Sequence, residues 1–339
     1  MAANFPLVSV LIPAYNHEKF VERTVRSILA QTYPNIELLV LDDGSKDKTL
    51  AILQSLRSEC EKRFARFWLD TQPNQGTCIT LNRLIAQVQG KYILIIASDD
   101  ELLPDSISVQ VNFLEKNSQV VLYVGNNEFI DAHDNRLERA KRPRTKFYPL
   151  GTNPQHIGTF GEWLQNGRQD VDFLSASFGS YQSLLRNNYL PNGSLLRKNA
   201  LDKCPPFSTQ APLEDWFLNL QLAKQGEFRY TPQVLFRYRI HATNTVSQHS
   251  KMRNFTRLTL LYEITQILQR PDSPWRDTVK QFIFIAQTDW KIQFGKLTLE
   301  KQSNFCKMRF FLHLFGKRWP ICTLPLYKLP EEWKKYLTN

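Results

Sequence analysis

The stretch Ile36-Glu-Leu-Leu-Val-Leu-Asp-Asp-Gly-Ser45 decides the fold. Ile36 to Leu41 reads as a short, nearly all-apolar strand, which then breaks on two carboxylates and a glycine, with a helical pattern opening near Ser45. Working outward, Leu7 to Ile12 is a second such strand, joined to it by an amphipathic helix from about Glu18 to Gln31. Downstream come a short strand at Phe67 to Leu69, a helix from about Gly76 to Gln89 and a buried strand at Tyr92 to Ala97. A helix from Asp105 to Lys116 and a strand at Val120 to Val124 complete the series. Short apolar strands alternating with helices imply a mainly parallel sheet covered on both faces, so the fold class is α/β and Rossmann-like. Right-handed crossovers place the strand C-termini, and any ligand site, along one edge.

Past this series the alternation stops. Arg136 to Lys146 is basic and contains proline, and reads as a surface loop; a helix is expected at Pro212 to Gln225 and a strand at Phe228 to Ile240. Phe255 to Leu268 and Val279 to Phe294 read as helices, and Phe305 to Trp319 mixes aromatic residues with cations. The expected division is therefore 1–125, 126–250 and a basic helical appendage, 251–339.

With 339 residues, 42% of them hydrophobic and 22% charged, general disorder is excluded. No run of about 18 apolar residues signals a spanning helix, and the first residues lack the basic and apolar regions of a signal peptide. Five scattered cysteines without a CxxC pair argue against a disulfide or zinc scaffold, so a cytoplasmic protein is expected. The formal charge of +11 is uneven: residues 1–250 hold 27 basic and 25 acidic side chains, whereas the remainder holds 16 and 7. A nearly neutral body with a basic tail is unlike a nucleic-acid binder, and no nucleic acid is expected. GxGxxG, Walker A and nucleophile-elbow motifs are missing, which disfavours dinucleotide oxidoreductases, P-loop kinases and serine hydrolases.

Three acidic pairs carry the chemistry. Asp42-Asp43 and Asp99-Asp100 fall at the ends of two expected strands, where their repulsion is relieved by a divalent cation or a ligand hydroxyl. Hard oxygen donors point to Mg or Mn. An N-cap ahead of the Ser45 helix also accounts for the first pair, and a solvated turn for the second. Glu214-Asp215 lies in the first turns of a helix, where complementing the helix dipole is explanation enough for an acidic pair taken alone.

Taken together, the segments Leu7 to Asn16, Leu39 to Ser45, Asn74-Gln-Gly76 with Asn82, Gly90 to Ile93, Ser98-Asp-Asp100 and Leu103-Pro-Asp105 resemble family 2 glycosyltransferases of the GT-A fold. Pro191 to Arg197, Glu214-Asp-Trp216 and Tyr238-Arg-Ile-His241 are similar to that family's acceptor-side elements, and the resemblance covers roughly residues 5 to 250. It implies a nucleotide-diphospho-sugar donor, UDP-linked before others, a hydroxyl acceptor on a glycan or lipid-linked glycan, and transfer of one sugar with inversion. Pro13, Tyr15 and Asn16 would border base and ribose, with Asn82 also on the nucleotide side. Asp42 would accept the uracil N–H, Asp99 would hold the ribose, and Asp100 with His241 would ligate Mn or Mg. Asp215 would be the catalytic base.

These residue types suit the reaction. A cation offsets charge on the departing phosphate oxygen, and a well-placed carboxylate takes the proton of the attacking alcohol only as the new bond forms. Where many relatives carry one more aspartate, this chain has Ala97 and Ser98, so metal binding would lean on Asp100 and His241. The Gln-x-x-Arg-Trp element of processive synthases is missing too, which favours single transfer. A non-catalytic nucleotide-sugar or glycan-binding protein that keeps the fold is the alternative. His17 and His133 read as surface residues. In the tail, Phe310, Phe311, Leu314 and Phe315 share one helical face beside Arg309, Lys317 and Arg318. That face suits peripheral contact with the cytoplasmic side of a membrane, or ordinary packing on the catalytic domain or a second subunit.

Overall fold

A computed structural model describes residues 5–140, 146–153, 155–167, 172–244 and 249–283. Its elements, in chain order, begin β1 (Val8–Ala14), α1 (Val21–Leu29), β2 (Ile36–Asp42), α2 (Thr49–Ser55), α3 (Arg57–Arg63), β3 (Arg66–Thr71) and α4 (Thr77–Ile85). They continue with β4 (Tyr92–Ile95), β5 (Glu101–Leu102), α5 (Ser106–Lys116), β6 (Val120–Ile130), β7 (Arg136–Arg139) and β8 (Phe147–Pro149). The last are α6 (Phe160–Gly167), α7 (Tyr181–Arg186), β9 (Leu195–Arg197), α8 (Lys198–Leu201), α9 (Glu214–Leu222), β10 (Glu227–Arg239) and α10 (His249–Leu268).

The chain divides into two compact units, the first comprising Met1–Ser180, Tyr189–Phe207 and Gln221–Ser247. Its ten-stranded sheet runs β3-β2-β1-β4-β9-β6-β10-β5, with β7 on β6 and β8 on β7. The expected parallel pairing is present for β1 with β2 and β4, for β2 with β3, and for β10 with β6. The sheet is mixed where β9 lies antiparallel between β4 and β6, and where β5 lies antiparallel to β10. β9 spans only Leu195–Arg197, too short for a periodic signal. The expected boundary at residue 125 falls inside β6, which is buried along its whole length.

The core explains the strands. Val8, Val10, Ile12, Ile36, Leu38, Val40, Tyr92 and Leu94 are fully buried, together with Val21, Val25 and Ile28 from one face of α1. Each such branched side chain contributes about 1.5–3 kcal/mol on leaving water. The solvent face of α1 carries a Glu22–Arg26 pair one turn apart, Nε to Oε1 2.9 Å. Glu37, the second residue of β2, is buried, but it is satisfied: Oε1 accepts from the Gln89 N–H at 2.7 Å and Oε2 from Arg66 at 3.1 Å.

The stretch expected as a basic loop begins instead as β7, in a hairpin with β6, and Arg136 Nε pairs with Glu128 Oε2 at 3.0 Å. A four-residue strand with three charged side chains, lying between β6 and β8, looks like a loop in sequence because its alternation is brief. Residues 141–145 of that stretch, most of the Val279 to Phe294 helix and all of the Phe305 to Trp319 segment lie outside the described residues.

The second unit comprises Tyr181–Asn188, Ser208–Leu220 and Gln248–Asn339. Here Trp216 is fully buried and its indole Nε1 donates to the Leu184 carbonyl at 2.9 Å. Leu260, Ile264, Ile267 and Leu268 give α10 its buried stripe, and the Leu213 N–H donates to Thr259 Oγ1 at 3.0 Å.

Candidate functional site

Register assembles one edge of the first unit. Ala14 of β1 pairs with Asp42 of β2, and Asp42 with Thr71 of β3, so three strands end level. Ile95 of β4 lies opposite Leu11, so Ala97 to Asp100 leave the sheet beside Pro13 to Asn16. Because β5 and β10 are antiparallel, with Glu101 opposite Arg237, the residues before β5 meet those after β10. Asp99 and His241 come together for that reason.

Asp42 is buried, and its Oδ2 accepts from the Ser45 N–H at 3.2 Å and the Thr71 hydroxyl at 3.0 Å. Its Oδ1 is buried without a hydrogen-bond partner among the described residues. Asn16 reaches the same turn: its N–H donates to Ser45 Oγ at 2.9 Å and its Oδ1 accepts from the Lys46 N–H at 2.8 Å. Those bonds hold Asn16 at a φ of 52°, a left-handed conformation that asparagine tolerates better than most residues. Pro13 is half-buried at the end of β1, and Tyr15 stands 43% exposed beside it. Asp43 ties down the neighbouring loop, accepting from the Gln75 and Gly76 N–H groups, each at 2.9 Å, and from the Gln72 side chain at 2.8 Å. Gly44, at a φ of +71°, lies so close that an added Cβ would stand 2.8 Å from the Asn74 nitrogen and 2.9 Å from the Gln72 carbonyl oxygen.

The second cluster centres on Asp99. His241 Nε2 lies 2.8 Å from Asp99 Oδ2, His17 Nε2 lies 3.8 Å from that oxygen, and Asn244 Nδ2 approaches it at 3.4 Å. Among the described residues, the ligand atoms of His17, Asp99 and His241 all fall within 4.8 Å of one another and could hold a metal ion. His17 was expected at the surface; instead it is half-buried, and burial, helped by the nearby His241, lowers its pKa against the opposing pull of Asp99. Its place directly after Asn16, at the end of β1, is the signal that could have revealed it. His133 is exposed, as expected.

Asp100, expected with His241 as a metal ligand, faces the backbone of β10 with one carboxyl oxygen. It is buried, and its Oδ1 accepts the Arg239 backbone N–H at 2.9 Å. Burial and the adjacent Asp99 charge push its carboxyl well above the usual carboxylate range. Asp99, expected at the ribose, is the one beside His241. Arg239, which sequence reasoning passed over, is fully buried. Its guanidinium donates to the Asp99 carbonyl at 2.7 Å, the Asp131 carbonyl at 2.8 Å, and the carboxylates of Glu101 and Asp134. It also lies over the Phe20 ring, 5.3 Å from the centroid. Asn82, expected on the nucleotide side, exchanges two hydrogen bonds with the Phe207 backbone, both at 2.9 Å.

Residues 9–168 match the model of glycosyl transferase family 2. The chain carries a family 2 glycosyltransferase domain. Pro13, Tyr15, Asn16, Asp42, Asn82, Asp99 and Asp100 all fall in that domain. Its relatives include an uncharacterized glycosyltransferase of Haemophilus influenzae, 36% identical over 135 residues, or 40% of this chain and 52% of the relative. The chain thus matches about half the length of that relative. Among solved structures, TarS residues 1–349 from S. aureus, in complex with UDP-GlcNAc, covers 97% of this chain and 83% of its own, with a TM-score of 0.56 at 15% identity. The mannosyltransferase PcManGT from Pyrobaculum calidifontis, in complex with GDP-Man and Mn2+, covers 99% and 84%, with a TM-score of 0.58 at 13% identity. At these identities the likeness establishes the fold, which is GT-A.

In the second unit, Asp215 is exposed on α9 and held at both oxygens: Asn188 Nδ2 donates to Oδ2 at 2.8 Å and the Trp216 N–H to Oδ1 at 2.6 Å. The protein packed around it raises its pKa despite those bonds. Neighbouring Glu214, raised by burial and by the Asp215 charge, reaches about 7. No helix among the described residues is long and apolar enough to cross a membrane.

Proposed function

We propose that this protein transfers a single sugar from a nucleotide-diphosphate donor, UDP-linked in the first instance, to a hydroxyl of a glycan or lipid-linked glycan, with inversion. The observation that carries the reading is Asp42 Oδ1, a buried carboxylate oxygen left unpaired at the end of β2. Leaving such an acceptor unsatisfied costs on the order of 1–3 kcal/mol, and the N–H of a pyrimidine base would satisfy it. Tyr15 and Asn16 flank that position and offer a face and an edge to base and ribose. The donor set at Asp99 and His241, a carboxylate oxygen and an imidazole nitrogen, suits a divalent ion such as Mn, with Asp100 serving as a backbone anchor. When bound, such an ion offsets the charge that develops on the departing diphosphate.

Asp215 is the proposed base. The acceptor oxygen attacks the anomeric carbon from the side opposite the diphosphate, the carbon–phosphate-oxygen bond breaks, and the hydroxyl proton passes to the Asp215 carboxylate. Its two hydrogen bonds fix where that carboxylate points, and its raised pKa makes it a better acceptor for the proton.

Calorimetric titration of UDP and GDP, each with and without Mn2+, tests the reading; UDP-GlcNAc and GDP-Man, held by the two structural neighbours, are the first donors to try. Mn-dependent UDP binding that weakens in Asp42→Asn is the expected result. Asp215→Asn should then abolish transfer and leave donor binding intact. If neither nucleotide binds under any metal condition the reading fails, and binding without transfer would leave a nucleotide-sugar-binding protein.

A further inference from the structure

We propose that His17 is a third donor to the divalent cation of this site, and that two imidazoles set the site for a transition-series ion such as Mn2+ over Mg2+. The inference rests on the cation site of the proposed function and goes beyond the ligands expected there, Asp100 and His241.

Both histidines are tied in the same way. His17 Nδ1 lies 2.7 Å from the Ser98 hydroxyl, and His241 Nδ1 lies 2.8 Å from the Thr243 hydroxyl. Each ring therefore has Nδ1 engaged by a hydroxyl and Nε2 turned to the same oxygen, Asp99 Oδ2, with Asn244 Nδ2 also 3.2 Å from His241 Nε2. A metal-binding imidazole is commonly oriented by a partner on its other nitrogen, and loss of such a partner typically lowers metal affinity 10–100-fold. Ser98, directly before Asp99, supplies the orienting group for His17.

The rings are also held as bodies. They meet edge to face, with centroids 5.8 Å apart at 87°, and Phe20 packs on His241 at 4.5 Å. The His17 N–H donates to Thr49 Oγ1 at 2.8 Å, which fixes its backbone at the start of α2.

Spacing and chemistry agree. Donors about 2.1 Å from one ion stand roughly 3 Å apart at a right angle, and the separations from Asp99 Oδ2 are 2.8 Å to His241 and 3.8 Å to His17. The His17–Asp99 distance is too long for a strong hydrogen bond and close to the spacing of two donors on one ion. Two imidazoles and one carboxylate suit Mn, Fe or Co, whereas Mg prefers oxygen donors throughout.

The test is pulsed electron paramagnetic resonance on the full chain loaded with Mn2+, counting the nitrogen nuclei coupled to the ion, with Mn2+ and Mg2+ affinities measured in parallel. The wild-type protein should show two coupled imidazoles and His17→Ala one. Mn2+ affinity should fall at least tenfold in that variant while Mg2+ affinity changes less than twofold. Ser98→Ala, which leaves every proposed ligand in place, should lower Mn2+ affinity 10–100-fold. One nitrogen in the wild type, or a spectrum unchanged by His17→Ala, would overturn the proposal, as would failure to bind Mn2+ at all. Two nitrogens without UDP or GDP binding would uphold the metal assignment and sink the transferase reading instead.

Discussion

The backbone N–H of Arg239 donates to Asp100 Oδ1 at 2.9 Å, which commits that carboxyl oxygen to holding β10 against the 97–100 loop. An acidic pair that looks uniform in sequence is thus split, with Asp99 beside the imidazoles and Asp100 facing the backbone. Asp100→Asn keeps an acceptor and removes the repulsion with Asp99, so its stability in urea should equal or exceed that of the wild type. Asp100→Ala strands a buried N–H and should lose about 1–3 kcal/mol. Asp99→Asn, by contrast, should leave stability nearly unchanged and abolish Mn2+ binding.

Arg239 joins the loop before β5 to the turn at 131–134. Removing its charge leaves Glu101, at 8% exposure, facing no guanidinium from that side. Arg239→Met should therefore cost about 3–5 kcal/mol, as broken buried ion pairs do, and urea denaturation would measure it.

Glu214 gives the second unit a pH signature. Its pKa of about 7 lies above the ordinary 4.5, so the folded protein binds more protons than the unfolded chain between those values. Stability then falls as pH rises from about 4.5 to about 7. The shift is shared with Asp215 and partly screened, so the loss should be on the order of 1–2 kcal/mol. Glu214→Gln should flatten that slope, and urea titrations at pH 5 and pH 8 would show it.

Asn82 spans α4 and the segment ending at Phe207. Asn82→Ala removes both bonds to that backbone and should lower stability by about 1–3 kcal/mol. Calorimetry on the same variant separates this role from a nucleotide-side one: a loss of UDP affinity beyond about threefold would return the residue to the donor site.

Much of this was legible in the residues. Strands β1, β2 and β4 announce themselves because both their faces are buried, and the carboxylates that follow them could only lie at the sheet edge. What stayed hidden depended on pairing. Nothing in the local sequence says that Leu195–Arg197 slips antiparallel between β4 and β6, because three residues carry no period. The placement of Asp99 beside His241 and of Asp100 against the Arg239 N–H is set by the antiparallel match of β5 with β10, a contact between residues some 140 positions apart. His17 was misjudged for the same reason: its partners Ser98 and Asp99 lie on another strand's exit. Arg239 was quoted within a motif yet given no task, since a fully buried guanidinium becomes visible only once its acceptors are assembled.

Gly44 pressed against the backbone of residues 72–74, with Asp43 gripping the N–H groups of Gln75 and Gly76, fastens the turn after β2 to the loop after β3. The two segments shift as one piece or stay still. An incoming base would meet a floor already in its final shape, with little disorder left to freeze out on contact. Discrimination between one base and another would then rest on fit to a fixed mould, and variants there should act more on how long a ligand stays than on how fast it arrives.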